Sequence, residues 1–536
     1  MIKEIKNIPD IIQQGIKSGW KTWNGSQLES DLTLVADVVI IGTGAGGGTA
    51  GEILSKAGLK VIFVEEGPLK SSSDFTMQED TAYSDLYQEG MARGSKDGSF
   101  TVMQGRCVGG STTVNWTSSF RTPDQTLDHW TKQHHLSGFS PEEMAPWFEL
   151  MEKRLNIQKW AKKPNANNQV LADGCEKLGY DWKVIPRNVS GCWDLGYCGI
   201  GCPTNAKLSM LVTTIPETLN HNGELVFRAQ AHHLKTAKGR VEGVVCRTIH
   251  DDGVTFTGKT VTVNAKHTIV ACGGINGPGL LLRSKVPDPH ELIGKRTFLH
   301  PVTFSVSEFA NQIEGFYGAP QSIYSDHFQW LHGVSGPMSY KLEVNPMQPA
   351  LMAAVIMGHG ERHHEQMSML PRMNSMLALL RDGFVEQSQG GSVELRDDDS
   401  PVVDYPFNDY LVDGMKRSLT TMAEVQFAGG AKRIRPVHSR SDFVSTLSEA
   451  KQLIEQLDYS PNVIRLGTAH VMGGCAMGSS ASEGVVDSMG QSFQLENLSI
   501  MDGSTFPTSI GANPQLSIYG MVAKQATALA KTLTNK

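Results

Sequence analysis

Cysteine is scarce in this 536-residue chain, with eight residues in all, far below the density of a disulfide-stapled scaffold. Charged residues make up 19% and the net charge is −7, with no long basic run, which argues against nucleic acid as a general partner. No stretch approaches 18 apolar residues free of charge and of repeated glycine, so no transmembrane helix is expected. The start, MIKEIKNIPDIIQQGIKSGW, scatters Lys, Glu and Asp around Pro9 and lacks the apolar core and small-residue cleavage site of a secretory signal. The expected location is therefore the cytoplasm. Ile12, Ile16, Trp20 and Trp23 recur at helical spacing beside Lys17 and Lys21. That stripe fits either a peripheral membrane contact or packing on the protein's own core. The length exceeds one ordinary core and predicts two or more domains.

What is present is concentrated between Asp37 and Pro68. The apolar run Val38 to Ile41 reads as a buried parallel strand and passes directly into Gly42-Thr43-Gly44-Ala45-Gly46-Gly47, which fits G-x-G-x-x-G. A helix follows, with an apolar face of Ala50, Ile53, Leu54 and Ala57 and a stop at Gly58. The next strand, Val61 to Val64, ends in Glu65 and Glu66. The glycines serve distinct physical purposes. Gly42 permits the tight turn, Gly44 lets backbone approach a pyrophosphate, and Gly47 lets helix and strand pack closely. Ala45 and Gly46 open the helix, whose free N–H groups suit phosphate, and Glu65 suits a ribose diol. Strand, turn, helix, strand and acid in this order predict a dinucleotide site, without separating FAD from NAD.

Further along, Gln104 to Trp116 (QGRCVGGSTTVNW) is dense in Gly, Ser and Thr, and small side chains let such a loop lie against a flat ligand. Arg106, Gly109, Gly110, Thr113 and Asn115 are its expected cofactor contacts. The first dinucleotide motif, this loop, and Arg121-Thr122-Pro123 with Asp128 and Trp130 resemble the glucose-methanol-choline (GMC) family of FAD-dependent oxidoreductases, and the stretch Cys198 to Lys207 (CGIGCPTNAK) leans the likeness toward its long-chain alcohol and sterol oxidising branch. The likeness resumes at Ile269 to Pro278 and again at the C-terminus. It implies an α/β fold with a Rossmann-like FAD-binding domain and a discontinuous substrate domain built on an antiparallel sheet flanked by helices. The expected division is 32–130, 222–299 and 462–536 for FAD, 131–221 and 300–461 for substrate, and 1–31 as an N-terminal extension. The resemblance places the backbone of Ala231 near the adenine. Arg283-Ser284-Lys285 departs from the family's small turn, and the change is expected to alter a loop only.

Between these landmarks, Ser71 to Lys96 reads as an irregular excursion, Pro141 to Leu155 as a helix and Pro164 to Asn168 as a linker loop. Leu225 to Asp251 reads as a β-meander. Ala350 to Met357, Gly391 to Leu395 and Pro401 to Asp404 are expected strands, and Asp409 to Phe427 an expected helix.

Two polar residues carry the expected chemistry. His470, among the glycines of Leu466 to Gly478, sits where the family has its active-site histidine, and Asn513, before Pro514, sits where it has a second polar residue. Asp502 resembles the turn that touches the flavin. Alcohol oxidation needs a group to take the hydroxyl proton, for which imidazole is suited, and a neutral group to orient the oxygen, for which an amide is suited. Val114 stands where some members bond a histidine to the flavin, so the FAD is expected to be non-covalent. His300 is expected to be a structural hydrogen-bonding group. Cys192, Cys198 and Cys202 leave two readings open: buried structural thiols with no metal, or ligands of an iron-sulfur cluster passing electrons to a partner. The expected function is FAD-dependent oxidation of an apolar alcohol to an aldehyde or ketone, with oxygen or another electron acceptor; a non-redox flavoprotein lyase is the further alternative.

Overall fold

The computed structural model describes residues 8–535; residues 1–7 of the expected N-terminal extension, and Lys536, lie outside the described part. Val38, Val39, Ile40 and Ile41 are all buried, as a central parallel strand covered on both faces requires. They end the strand Leu32–Ile41, which lies between Val61–Val64 and Phe256–Val270 and runs parallel to both. Glu224–Phe227 and then Lys21–Asn24 extend the sheet in parallel on one side. On the other, Phe256–Val270 pairs antiparallel with Arg240–Ile249, which pairs with Ala229–Ala237. Leu498–Ile500 joins beside the end of Phe256–Val270 and completes eight strands. The parallel strands therefore deliver their C-terminal ends to one edge, where doubly wound sheets bind ligands.

The stripe Ile12, Ile16, Trp20 and Trp23 is not one helix. The helix Ile11–Lys17 ends at a turn through Gly19, and Trp23 belongs to the edge strand Lys21–Asn24. Ile12 is buried, and Ile16, Trp20 and Trp23 pack against the same core as the sheet. The indole N–H of Trp20 donates to Asn220 and that of Trp23 to Glu224. With the stripe turned inward, the membrane reading loses the apolar face on which it rested. Among the described residues, no helix is long and apolar enough to cross a membrane.

A second, six-stranded sheet runs Tyr340–Val344, Met373–Leu380, Val302–Glu308, Leu466–Thr468 and Phe100–Val102, with Arg433–Pro436 also paired to Val302–Glu308. Its pairs are antiparallel except the last, Leu466–Thr468 with Phe100–Val102. Those two strands come from segments assigned by sequence to the FAD domain, so the two parts interlock at the sheet that carries His470. The helix Asp409–Ala428 covers this sheet with Leu411, Met415, Leu419 and Met422, buried at helical spacing. Gly391–Leu395 and Pro401–Asp404 pair antiparallel as expected.

Three local expectations are corrected. Ala350 to Met357 is not a strand but lies in and just beyond the helix Pro349–Val355, with proline in its first turn; an unbroken apolar run does not by itself specify a period. The linker at Pro164 gives way to a helix, Ala166–Leu178, because the Asn165 side chain accepts from the Asn168 N–H and caps it. The stretch from Ser71 contains the helix Glu79–Leu86.

Candidate active site

The glycines of the first turn divide by what surrounds them. Gly42 has φ +99°, a conformation that glycine adopts without steric cost. A Cβ on Gly47 would lie 1.9 Å from the Gly42 carbonyl oxygen, and one on Gly46 1.8 Å from that of Met501, so packing requires both. Gly44 is different: its nearest neighbour would be Gly110 Cα at 3.9 Å. Protein packing does not explain this glycine. Its open side faces a cavity of ≈ 670 Å³, at the N-terminus of the helix Ala45–Lys56.

That cavity gathers most of the expected cofactor residues: Gly42, Gly44, Ala45, Gly46, Glu65, Glu66, Arg106, Gly110, Asn115, Ala231 and Asp502 line it together with His470 and Asn513. Gly47, Gly109 and Thr113 do not line it. Gly47 is closed off by Gly42, the Gly109 N–H donates to the Thr43 hydroxyl, and the Thr113 hydroxyl donates to the Val108 carbonyl. These three shape the walls from behind.

Glu65 is already engaged. One carboxylate oxygen accepts from the Thr43 N–H (3.1 Å) and hydroxyl (2.6 Å), the other from the Gly67 N–H (3.0 Å). A carboxylate has about four acceptor positions, so one remains for a ribose hydroxyl. Glu66 accepts from Arg106 Nε at 2.6 Å. Asp502 accepts the N–H groups of Gly273 and Ser504 and so pins the start of the helix Gly273–Arg283 beside the cradle. Arg283, at the end of that helix, donates to the Ala231 carbonyl at 3.2 Å and lines the cavity. The departure expected to alter only a loop thus places a guanidinium on the cavity wall. Two further wall residues escaped sequence reasoning: buried Arg93, held by Gln104 and Asn276, and Trp116, whose buried indole N–H has no protein partner. An open Gly44 beside a helix N-terminus fits the pyrophosphate of a dinucleotide.

His470 follows the strand Leu466–Thr468 by two residues, and its N–H donates to the Thr468 hydroxyl. Its Nδ1 lies 3.2 Å from Nδ1 of buried His300, which leaves Nε2 for the cavity. His300, expected to be structural, therefore has the expected active-site histidine as its partner. Its backbone is left-handed, φ +47°, and is held by Asp382, whose carboxylate accepts the N–H groups of Leu299 and His300. Burial pushes the Asp382 carboxyl up to about 6, against the opposing hydrogen bonds that favour its ionised form. Burial, and then the charge of Lys341, hold the His470 imidazole down to about 3. At neutral pH His470 therefore carries no charge.

Asn513 sits between two buried charges that sequence reasoning did not single out. Lys341 Nζ donates to Asn513 Oδ1 at 2.9 Å, and Asn513 Nδ2 donates to Glu343 Oε2 at 3.3 Å. Lys341 and Glu343 pair at 2.8 Å.

The three clustered thiols turn to different partners. Cys192 Sγ accepts from the Asp194 N–H, Cys198 Sγ from Arg187, and Cys202 Sγ lies 3.4 Å from the Thr204 hydroxyl. Among the described residues, no three His, Cys, Asp or Glu side chains gather as a metal ion needs. Their loop is tied to the cavity wall: buried Lys207 donates to the carbonyls of Thr113 (2.5 Å), Asn115 (3.0 Å) and Cys198 (2.7 Å) and clamps it to the Gly-rich loop.

A dinucleotide cradle opening onto a neutral, half-buried histidine and a fixed amide is the layout of a flavin-dependent oxidoreductase. The chain belongs to the GMC oxidoreductase family, whose models match residues 83–302 and 386–522, and it is an FAD-dependent enzyme. It is 28% identical to the long-chain-alcohol oxidase FAO1 of Arabidopsis thaliana over 95% of this chain and 68% of that one. In fold it resembles the pyridoxine 4-oxidase of Mesorbium loti, with a TM-score of 0.68, 14% identity, and 92% and 98% of the two chains covered. The formate oxidase of Aspergillus oryzae, in a structure concerned with FAD modification, matches with the same TM-score and identity over 93% and 98%.

Proposed function

We propose that the enzyme oxidises the CH–OH group of an apolar alcohol to an aldehyde or ketone, with FAD bound non-covalently. When bound, FAD supplies the acceptor for a hydride. The observation that carries this reading is the placement of His470 and Asn513 on the wall of the same cavity as the glycine cradle. His470 Nε2 takes the hydroxyl proton, for which it must be neutral, and its depressed pKa keeps it so. Asn513 donates to the substrate oxygen and holds the carbon in line for transfer. The cofactor residues act from the opposite side: Glu65 on the ribose, the backbone around Gly44 and Ala45 on the pyrophosphate, Ala231 with Arg283 at the adenine.

Non-covalent attachment is supported by Val114, buried on the cavity wall, which offers no nucleophile to the ring. The apolar substrate rests on the likeness to long-chain-alcohol oxidases. We assign residues 32–130, 222–299 and 462–536 to an FAD part, with Lys21–Asn24 added to it, and 131–221 and 300–461 to a substrate part, whose sheet takes Phe100–Val102 and Leu466–Thr468 from the FAD part. Cytoplasmic residence accords with a low cysteine count and eight side chains that are not paired with one another.

The test is an anaerobic absorption spectrum before and after aliphatic, aromatic and sterol alcohols. Bleaching by long aliphatic alcohols supports the reading, and readmitted air then tells oxygen from another acceptor. A flavin that no alcohol bleaches would sink it and favour a lyase. Acid precipitation that leaves the yellow colour in the pellet would refute non-covalent binding.

A further inference from the structure

In the strand Tyr340–Val344, residues two apart share a face, so Tyr340, Leu342 and Val344 point one way and Lys341 and Glu343 the other. Such alternation ordinarily sends the charges to water. Here both are buried, at 2% and 0% exposure. The ammonium stands 3.2 Å above the Phe120 ring centroid and 4.6 Å from that of Tyr324. A buried ion pair is weakly stabilising at best, because each charge must first leave water. Its presence calls for another explanation, and the third member of the group provides one.

The two ends of an asparagine amide are alike in shape and opposite in hydrogen-bond polarity. An ammonium can only donate and a carboxylate can only accept. With Lys341 Nζ at 2.9 Å from Oδ1 and Glu343 Oε2 at 3.3 Å from Nδ2, only one of the two amide orientations satisfies both neighbours. We infer that Lys341 and Glu343 are positioning residues that lock the Asn513 amide so that its remaining N–H, not its oxygen, faces the substrate. The inference rests on the reading that Asn513 meets the substrate oxygen. Its consequence is a site polarised for acceptors: an alkoxide-like or carbonyl oxygen is matched, whereas a flipped amide would repel it with a lone pair.

The experiment uses oxidised holoenzyme titrated with 2-octanone, a neutral ligand that only accepts hydrogen bonds and carries no alcohol to oxidise, and follows the flavin spectrum. Lys341→Met alone would strand a buried carboxylate, so the main variant removes both charges, Lys341→Met with Glu343→Leu. We expect normal flavin content and a roughly five- to tenfold rise in the Kd for the ketone, the loss of one oriented hydrogen bond. Adding Asn513→Ala to that variant should weaken binding no further than Asn513→Ala alone, and Lys341→Arg, which keeps the donors, should retain binding. Unchanged ketone affinity in the charge-free variant, or losses that multiply with those of Asn513→Ala, would overturn the inference while leaving the reading of Asn513 intact. Unchanged affinity in Asn513→Ala, or no ketone binding by the natural enzyme, would overturn both.

Discussion

The Nδ1 atoms of His300 and His470 stand 3.2 Å apart, so a single hydrogen joins a buried imidazole to a half-buried one on the cavity wall. For His470 Nε2 to accept a proton from substrate, that hydrogen must belong to His470 and His300 must accept it. His470→Asn removes the base, and anaerobic flavin reduction by the best alcohol should slow by about 10²–10⁴-fold with flavin content unchanged. His300→Phe leaves the base but not its tautomer, and should slow reduction by a smaller factor, on the order of 10-fold. Equal rates in His470→Asn and the natural enzyme would remove His470 from the chemistry.

The pH dependence follows from the same burial. An ordinary histidine gains its proton near 6.5, and His470 does so only near 3. The reduction rate should therefore stay level from pH 8 down to 5, and a half-loss centred near 6.5 would contradict the neutral base. Stability carries the matching sign. Below pH 6.5 the unfolded chain protonates this histidine and the folded chain does not, so acid favours unfolding. Relative to His470→Asn, the natural enzyme should lose stability as pH falls from about 6.5 toward 3, by up to about 1.4 kcal/mol per pH unit, read by chemical denaturation.

Asp382 holds His300 in a left-handed conformation through two N–H groups. Asp382→Ala leaves those donors buried without partners, and the expected cost is about 2–4 kcal/mol, visible as a lower denaturation midpoint. Reduction should slow as well, because His300 loses its place behind His470. Asp382→Asn keeps one acceptor and should fall between.

The two kinds of glycine in the cradle should separate experimentally. Gly44→Ala meets open cavity, so the protein should fold and melt normally when freed of flavin while binding FAD at least 10-fold more weakly. Gly47→Ala drives a methyl into the Gly42 carbonyl and should cost about 3 kcal/mol of stability or prevent folding. Equal FAD affinity in Gly44→Ala and the natural protein would show that no phosphate lies against that turn.

Local sequence determined the dinucleotide half of this enzyme. The run Val38 to Ile41, the glycine turn and the acid after Val64 are contiguous, and their periods and backbone demands are set within some thirty residues, so strand, turn and helix were legible before any contact was known. His470 and Asn513 were legible only through likeness to a family, since one imidazole among 17 carries no local mark. What lies behind them was not legible. Lys341 and Glu343 read as the wet face of a strand, and only Phe120, Tyr324 and Asn513, from distant parts of the chain, make them a buried pair. His300 shows no sign of its partner 170 residues away. Ala350 to Met357, apolar without alternation, was settled as helix by its surroundings. Backbone geometry is specified by neighbours in sequence. Burial, and with it the charge and tautomer of each active-site group, is specified by whatever the fold brings against it.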